Sequence, residues 1–316
     1  MRLEPAVCSL PLRRRFRGIG VREVALVRGE AGWGEFSPFR EYGDEEALAW
    51  WRAAREAADE GWPEPLRDVV PVNATVPAVP ARDVAAVLAR FPGCTTAKVK
   101  VAEPGRPGAE DLDRLAAVRD AMGPAGRVRV DANGAWPVDE AVRLIPAYDR
   151  AAGGLEYVEQ PCAAVEDLAA VRRRVDVPVA ADESIRRAGD PELVARLGAA
   201  DVAVLKVQPL GGVRACLRVA ERLGLPVVVS SALETSVGIA AGVALAAALP
   251  ELPYACGLAT VGLLERDVVA DPMVAVGGVL RVRRPSPDPA LLSALAADAT
   301  THTWWRERIT RVEALR

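Results

Sequence analysis

From about residue 70 onward, short β-branched runs alternate with Ala-, Leu- and Arg-rich stretches whose apolar positions recur at the helical period. The strand-like runs are VPVNATVPA (70–78), TTAKVKV (95–101), RVRVDAN (127–133) and LEYVEQP (155–161), then VPVAADES (177–184), VAVLKVQP (202–209), LPVVVSS (225–231) and YACGLAT (254–260). Between them AEDLDRLAAVRDAM, VDEAVRLIPAYDRA and VRACLRVAERLG read as helices. Several such stretches carry Asp, Glu or Pro near the start, and some close on Gly, as helix ends prefer. The strands are continuously apolar rather than alternating, the mark of parallel strands covered on both faces. Eight strands separated by helices predict an α/β protein built on a closed (β/α)8-type barrel. A doubly wound open sheet is the weaker alternative, because no Gly-rich phosphate turn follows the first strand.

The chain ends break this rhythm. The alternating runs VREVALVRG and GWGEFSPF predict an antiparallel meander, followed by a helix over residues 44–61. Residues 265–316 contain GGVLRVRRP and then helix-like segments. The expected organisation is an N-terminal cap portion (1–69), the barrel (70–264) and a C-terminal segment (265–316) that returns to the same α+β cap. The most apolar stretch, SVGIAAGVALAAALPEL, is Ala-rich and interrupted by proline, so it reads as a buried helix rather than a membrane span. The start, MRLEPAVCSLPLRRRFRG, places acid and proline ahead of its basic cluster, unlike a signal peptide. RRRFRG (13–18) fits either a substrate-gating loop or a solvated basic loop. WGEFSPF (33–39) fits either a lid over the substrate or cap core. Trp136 is expected at the barrel rim and His302 on the surface.

A formal net charge of −3 over 316 residues provides neither a basic field for nucleic acid nor a polybasic membrane patch. The expected partner is a small molecule, and a monomer is compatible with the sequence. Cys8, Cys94, Cys162, Cys216 and Cys256 are odd in number and scattered without a CxxC pair, which predicts free thiols and a cytoplasmic setting. His302 is the only histidine and lies near the C-terminus beside Trp304 and Trp305, which argues against a His-based metal cage or a Ser–His–Asp triad. Lysine is scarcer than its charge class suggests: of 40 Lys and Arg residues only Lys98, Lys100 and Lys206 are lysine. Arginine stays protonated in proteins, whereas a desolvated lysine can lose its proton and act as a base. All three lysines fall in strand-like apolar runs, and Lys98 and Lys100, two apart, share one face of theirs.

Barrel chemistry sits at the C-terminal strand ends. Those ends carry Lys98 and Lys100, then Asp131, Glu159, Asp182 and Lys206 on the next four strands, with gaps of 28, 23 and 24 residues from Asp131 onward. Each gap is one βα unit, so the groups are neighbours around one rim. Taken singly, each carboxylate could be a helix N-cap or turn residue. Together, three converging carboxylates repel unless a cation lies between them. All-oxygen ligands suit a hard divalent ion, best Mg²⁺, with Mn²⁺ as a possible substitute. Lysines on both sides of such a site suit removal of a proton α to a carboxylate: a neutral lysine takes the proton, and the metal and an ammonium stabilise the enediolate. A neighbouring cation at Lys98 would lower the pKa of Lys100.

This pattern of KxK, then Asp, Glu and Asp, then Lys, resembles the enolase superfamily and its muconate-lactonizing-enzyme subgroup. The resemblance implies a (β/α)7β barrel with a capping domain built from both chain ends. The segments AKVKV, VRVDANGAW, YVEQP, VAADES, LKVQPLGG, VVSSALETSVG and CGLATVGLLERDV are most similar to the o-succinylbenzoate synthase family. That resemblance implies syn dehydration of 2-succinyl-6-hydroxy-2,4-cyclohexadiene-1-carboxylate to 2-succinylbenzoate in menaquinone biosynthesis. It implies Lys100 as the base, Lys206 as the group stabilising the enediolate and Lys98 as the tuning charge. It further implies Asp131, Glu159 and Asp182 as Mg²⁺ ligands, with Asn133, Ser230, Ser231 and Gly257 as substrate contacts. N-acylamino-acid racemisation on the same site is the nearest alternative. A catalytically dead barrel serving as a binding protein is the alternative outside enzymology. Dipeptide epimerisation is disfavoured, because relatives with that activity carry an acidic DxD where this chain reads YACGLAT.

Overall fold

The computed structural model describes residues 4–16, 18–105, 108–187 and 190–315. Strands β1 (Ala6–Phe16), β2 (Ile19–Arg28) and β3 (Trp33–Phe36) form the expected antiparallel meander. Helix Asp44–Arg55 follows and runs on through a π-helical turn, Glu56–Glu60. Its buried Ala47, Trp50, Trp51, Ala54 and Ala58 recur every three or four residues, and three acids occupy its first turn, where the helix dipole favours them. Gly34 permits the strand to lie on this helix, since a Cβ there would come within 1.9 Å of Ala54 O. The C-terminal helix Ala299–Glu313, capped by Asp298, joins the same layer. Its Trp305, Ile309 and Val312 share one apolar cluster with Phe36, Trp50 and Trp51. Phe36 meets Trp51 and Trp305 edge-on at 5.3 and 5.7 Å. Both chain ends therefore build one cap, held by aromatic burial worth about 3 kcal/mol for a residue such as Phe36.

The first predicted barrel strand is split in two. β4 (Val69–Pro71) leaves the barrel to pair antiparallel with the late strand Val279–Arg281, and only β5 (Ala74–Val76) joins the parallel sheet. Pro71 has no N–H to carry a ladder onward. The sheet continues in chain order through β6 (Thr96–Lys100), β7 (Arg127–Asp131), β8 (Leu155–Glu159), β9 (Val179–Ala181), β10 (Val202–Lys206) and β11 (Val227–Ser230). The eighth predicted run, YACGLAT, is not a full strand. It makes two isolated parallel bridges, Val72↔Cys256 and Ser230↔Gly257, and then turns into a 3₁₀ helix, Ala259–Leu263. Those bridges, with Cys256 N donating to Pro71 O at 2.7 Å and Gly257 N to Val229 O at 2.8 Å, join the two sheet edges. The barrel is thus a (β/α)7β barrel, closed by the Cys256–Gly257 segment, while β12 (Val279–Arg281) pairs outside it with β4.

Register decides what points inward. Lys98, Arg129 and Tyr157 lie level on β6, β7 and β8, and Lys100, Asp131 and Glu159 lie level one pleat above. Tyr157, Ala180, Val202, Val204 and Val228 pack together in a separate buried cluster. The Arg129 guanidinium sits 4.7 Å over the Tyr157 ring. The alternate residues, such as Val99, Val130, Val158 and Leu205, face the surrounding helices. Helix Ser236–Ala248 is the predicted Ala-rich helix and is buried on every side. Among the described residues no helix is long and apolar enough to cross a membrane.

Candidate active site

The paired lysines of β6 project into the barrel mouth and share Asp131, with Glu159 a further partner of Lys98 alone. Lys98 Nζ donates to both Glu159 oxygens at 2.9 Å and to Asp131 Oδ2 at 3.1 Å. Lys100 Nζ donates to Asp131 Oδ2 at 2.5 Å and to Asn133 Oδ1 at 2.7 Å. Lys206, four strands away on β10, donates to Asp182 Oδ2 at 2.6 Å. All three lysines line one inner cavity of about 30 Å³, together with Ser230, Ser231 and Gly257.

Asp131, Glu159 and Asp182 are fully buried at successive strand ends. Among the described residues no three His, Cys, Asp or Glu side chains surround a common point as ready metal ligands. Instead, the Lys98 ammonium stands between Asp131 and Glu159, and Lys206 and Arg186 flank Asp182. A lattice of ion pairs thus runs around the three expected acids, because buried like charges need compensating cations. The compensation is incomplete at Glu159. Burial, and then the charge of Asp131, push its carboxyl up to about 7 despite Lys98. Asp131 and Asp182 go the other way. Burial raises them, but Lys100 and Lys98 outweigh it for Asp131, and Lys206 and Arg186 outweigh it for Asp182. Three buried carboxylates, one of them short of positive charge, offer the oxygen donors that a hard divalent cation takes.

The two neighbouring lysines behave differently. Burial works against the Lys98 ammonium, yet Glu159 and Asp131 outweigh it and hold its pKa well above the usual lysine value. Lys100 is lowered, first by burial and further by the Lys98 charge, with Asp131 opposing. Desolvation is the largest cause, and the Lys98 charge acts in the same direction.

Other expected residues fall as follows. Asn133 touches Lys100 directly and donates from Nδ2 to Glu183 Oε1 at 3.3 Å. Ser231 Oγ donates to Gly257 O at 2.7 Å and lies 2.9 Å from Thr260 Oγ1. A Cβ on Gly257 would come within 2.7 Å of Ser230 Oγ, so glycine lets the closing segment reach β11. Trp136 packs at the rim, edge-on to Tyr148 at 5.5 Å. The aromatics Phe36 and Phe39 of WGEFSPF belong to the cap core. From the RRRFRG run, Arg14, Arg15 and Phe16 line a larger outer cavity of about 740 Å³ that also reaches Lys100, while Arg17 lies outside the described residues. His302 is half-buried.

Two residues of this site are not singled out by the sequence reading. Arg186 donates from Nε to Asp182 Oδ1 at 2.9 Å, one helical turn on; the i, i+4 spacing in DESIR is the signal that could have revealed it. Gln160, next to Glu159, accepts from Asp182 N at 3.0 Å and Ser184 N at 3.2 Å, and donates to Cys162 O and Ser184 Oγ. It therefore ties the second acid's strand to the third's. Ala102, Asn133, Gln160 and Leu233 all have positive φ, from 42° to 68°, just past barrel strands. Such backbone costs about 1–3 kcal/mol per residue and clusters at functional sites.

Residues 81–287 match the family model described as Enolase C-terminal domain-like, and residues 7–58 match Enolase N-terminal domain-like. Solved structures agree. Muconate lactonizing enzyme from Pseudomonas putida superposes with TM-score 0.78 at 22% identity, covering 93% of this chain and 98% of that one. The L-Ala-D/L-Glu epimerase from Bacillus subtilis gives 0.75 at 24% identity, covering 90% and 96%. Fold and site together define an enzyme of the enolase superfamily, whose members are in general divalent-metal dependent. In sequence, the chain is 64% identical over 306 residues to the o-succinylbenzoate synthase of Thermobifida fusca (strain YX), covering 97% of this chain and 95% of that protein. It is 58% identical over 303 residues to the o-succinylbenzoate synthase of Mycobacterium tuberculosis (strain ATCC 25618 / H37Rv), covering 96% and 91%. The chain belongs to the o-succinylbenzoate synthase family.

Proposed function

We propose that this enzyme is a Mg²⁺-dependent o-succinylbenzoate synthase acting in menaquinone biosynthesis. It removes the α-proton and the adjacent hydroxyl of 2-succinyl-6-hydroxy-2,4-cyclohexadiene-1-carboxylate, giving 2-succinylbenzoate and water. The observation that carries the reading is the placement of Lys100, with its lowered pKa, and Lys206 four strands apart on one cavity. Neutral Lys100 takes the α-proton and leaves an enediolate. Lys206 holds that negative charge from the far side. The Lys100 ammonium then returns its proton to the departing hydroxyl on the same face, so water leaves and the ring becomes aromatic. Lys98 stays an ammonium throughout. Asp131, Glu159 and Asp182 would hold the metal, which would supply positive charge to the substrate carboxylate. Mg²⁺ suits their oxygen ligands, and Mn²⁺ would substitute. Ser230, Ser231, Gly257 and Asn133 border the cavity and contact the substrate. The five cysteines are all free, in keeping with a cytoplasmic setting.

The test is to mix the protein with the cyclohexadiene and Mg²⁺ and follow the aromatic product spectroscopically. An inactive wild type sinks the reading. Lysines on both sides of the cavity also suit two-base racemisation of N-succinyl amino acids. Optical rotation of such a substrate tests this separately, and racemisation without dehydration would make it the principal activity.

A further inference from the structure

The loop after β11 lines the inner cavity with Ser231, Ala232 and Leu233. Its far half is gripped from the cap. Arg22, buried on β2, donates from Nε to Leu233 O at 3.1 Å and from Nη2 to Ala232 O at 3.3 Å and to Ser37 O. Glu35, buried on β3, receives the opposite kind of group. Its Oε2 accepts from Thr235 N at 3.1 Å, Thr235 Oγ1 at 2.5 Å and Gly238 N at 3.1 Å, while Oε1 accepts from Ser37 Oγ at 2.7 Å. Those amides are the first turn of helix Ser236–Ala248, where unpaired N–H groups and the helix dipole favour a carboxylate. Within the Arg22 grip Leu233 holds a φ of +68°, a conformation a leucine keeps only when its surroundings impose it. Ala232 is at once a wall of the cavity and a member of the cap's aromatic cluster.

We infer that Glu35 and Arg22 are positioning residues for the substrate: reaching across from the cap, they fix the shape of the substrate-facing loop 231–235. This rests on the activity proposed above. Neither side chain borders the inner cavity, so they act through the loop and not on the reacting atoms. The loop lies on the β11 side, away from Lys100 and Asp131, so losing its shape weakens substrate binding more than it slows proton removal.

The decisive variant is Glu35→Ala. KM should rise by about tenfold or more with kcat changed by less than about threefold. Hydrogen exchange of amides 232–238 should quicken while β6 to β8 stay protected. Glu35→Gln should recover most of the loss. Its carboxamide oxygen can accept the same three donors, and its NH₂ can donate to Ser37 Oγ, whose own proton then turns to Gln208 Oε1 at 3.3 Å. A folded Glu35→Ala protein with lowered melting temperature but unchanged KM and unchanged loop exchange overturns the inference. If Glu35→Ala does not fold, Thr235→Val removes the hydroxyl that donates to Glu35 and accepts from Val237 N, and should raise KM by a smaller factor; an unchanged KM there overturns it equally. Exchange is read without turnover, so it decides the grip even if the wild type fails on the cyclohexadiene, an outcome that counts against the activity alone.

Discussion

Lys100 Nζ lies 2.5 Å from Asp131 Oδ2, although the two residues are 31 apart in sequence. Parallel pairing of β6 with β7 sets them side by side, and burial then makes the pair consequential. Asp131 keeps the ammonium in place, while desolvation makes its proton easier to release.

Lys100→Arg keeps the charge and the partner but removes a group able to deprotonate. Turnover of the cyclohexadiene should fall by a factor of about 10³ or more, with Mg²⁺ affinity little changed. Near-normal kcat would displace Lys100 as the base.

The pH profile carries the second expectation. Activity should rise with pH as Lys100 loses its proton, and level off below the ordinary lysine value of 10.5. Lys98 lowers Lys100 by its charge and also occupies Asp131. Lys98→Met removes the repulsion and frees Asp131 to favour the ammonium, so both effects move the rising limb to higher pH. A limb that stays put or moves down would show that Lys98 does not tune the base.

Glu159 is the acid least compensated by the lysines, so it gains most from a bound cation. Chelation should abolish activity, and added Mg²⁺ should restore it. Saturating Mg²⁺ at a hundredfold excess over Kd should stabilise the wild type by about 2.7 kcal/mol. Glu159→Gln should lose most of that thermal shift and at least 10- to 100-fold in activity. A full Mg²⁺-induced shift in Glu159→Gln would remove Glu159 from the ligand set.

Glu35 makes stability depend on pH. Burial first, then the charge of Glu234, push its carboxyl up to about 7 from 4.5, with Thr235, Ser37 and Arg22 opposing. Between those values the folded protein holds a proton that the unfolded chain has released, so stability falls as pH rises through the window, by up to about 3 kcal/mol. Glu35→Gln takes no part in this titration. Its stability relative to wild type should therefore improve from pH 5 to pH 7.5 in urea unfolding. A constant difference would mean that Glu35 is ionised throughout.

The lysines and acids are legible because their evidence is local: three lysines among 40 basic residues, and acids one βα unit apart on apolar runs. Arg186 carries a local signal too, in its spacing from Asp182. Glu35 carries none. WGEFSPF shows an acid beside aromatics, and only the docking of β3 on helix Ser236–Ala248 turns that acid toward Thr235 and Gly238.

The chain's own pattern determined the (β/α) rhythm, the cap from both ends and the set of charged strand ends, because periodicity and composition act within one element. Tertiary structure decided the rest. YACGLAT has strand chemistry, yet it makes only two bridges, because backbone pairing depends on which edges stand next to it. Lys98 and Lys100 have the same side chain on the same strand face. Their pKa values move in opposite directions because burial and the charges of Asp131 and Glu159 fall on them unequally, and those distances exist only once β6, β7 and β8 lie side by side.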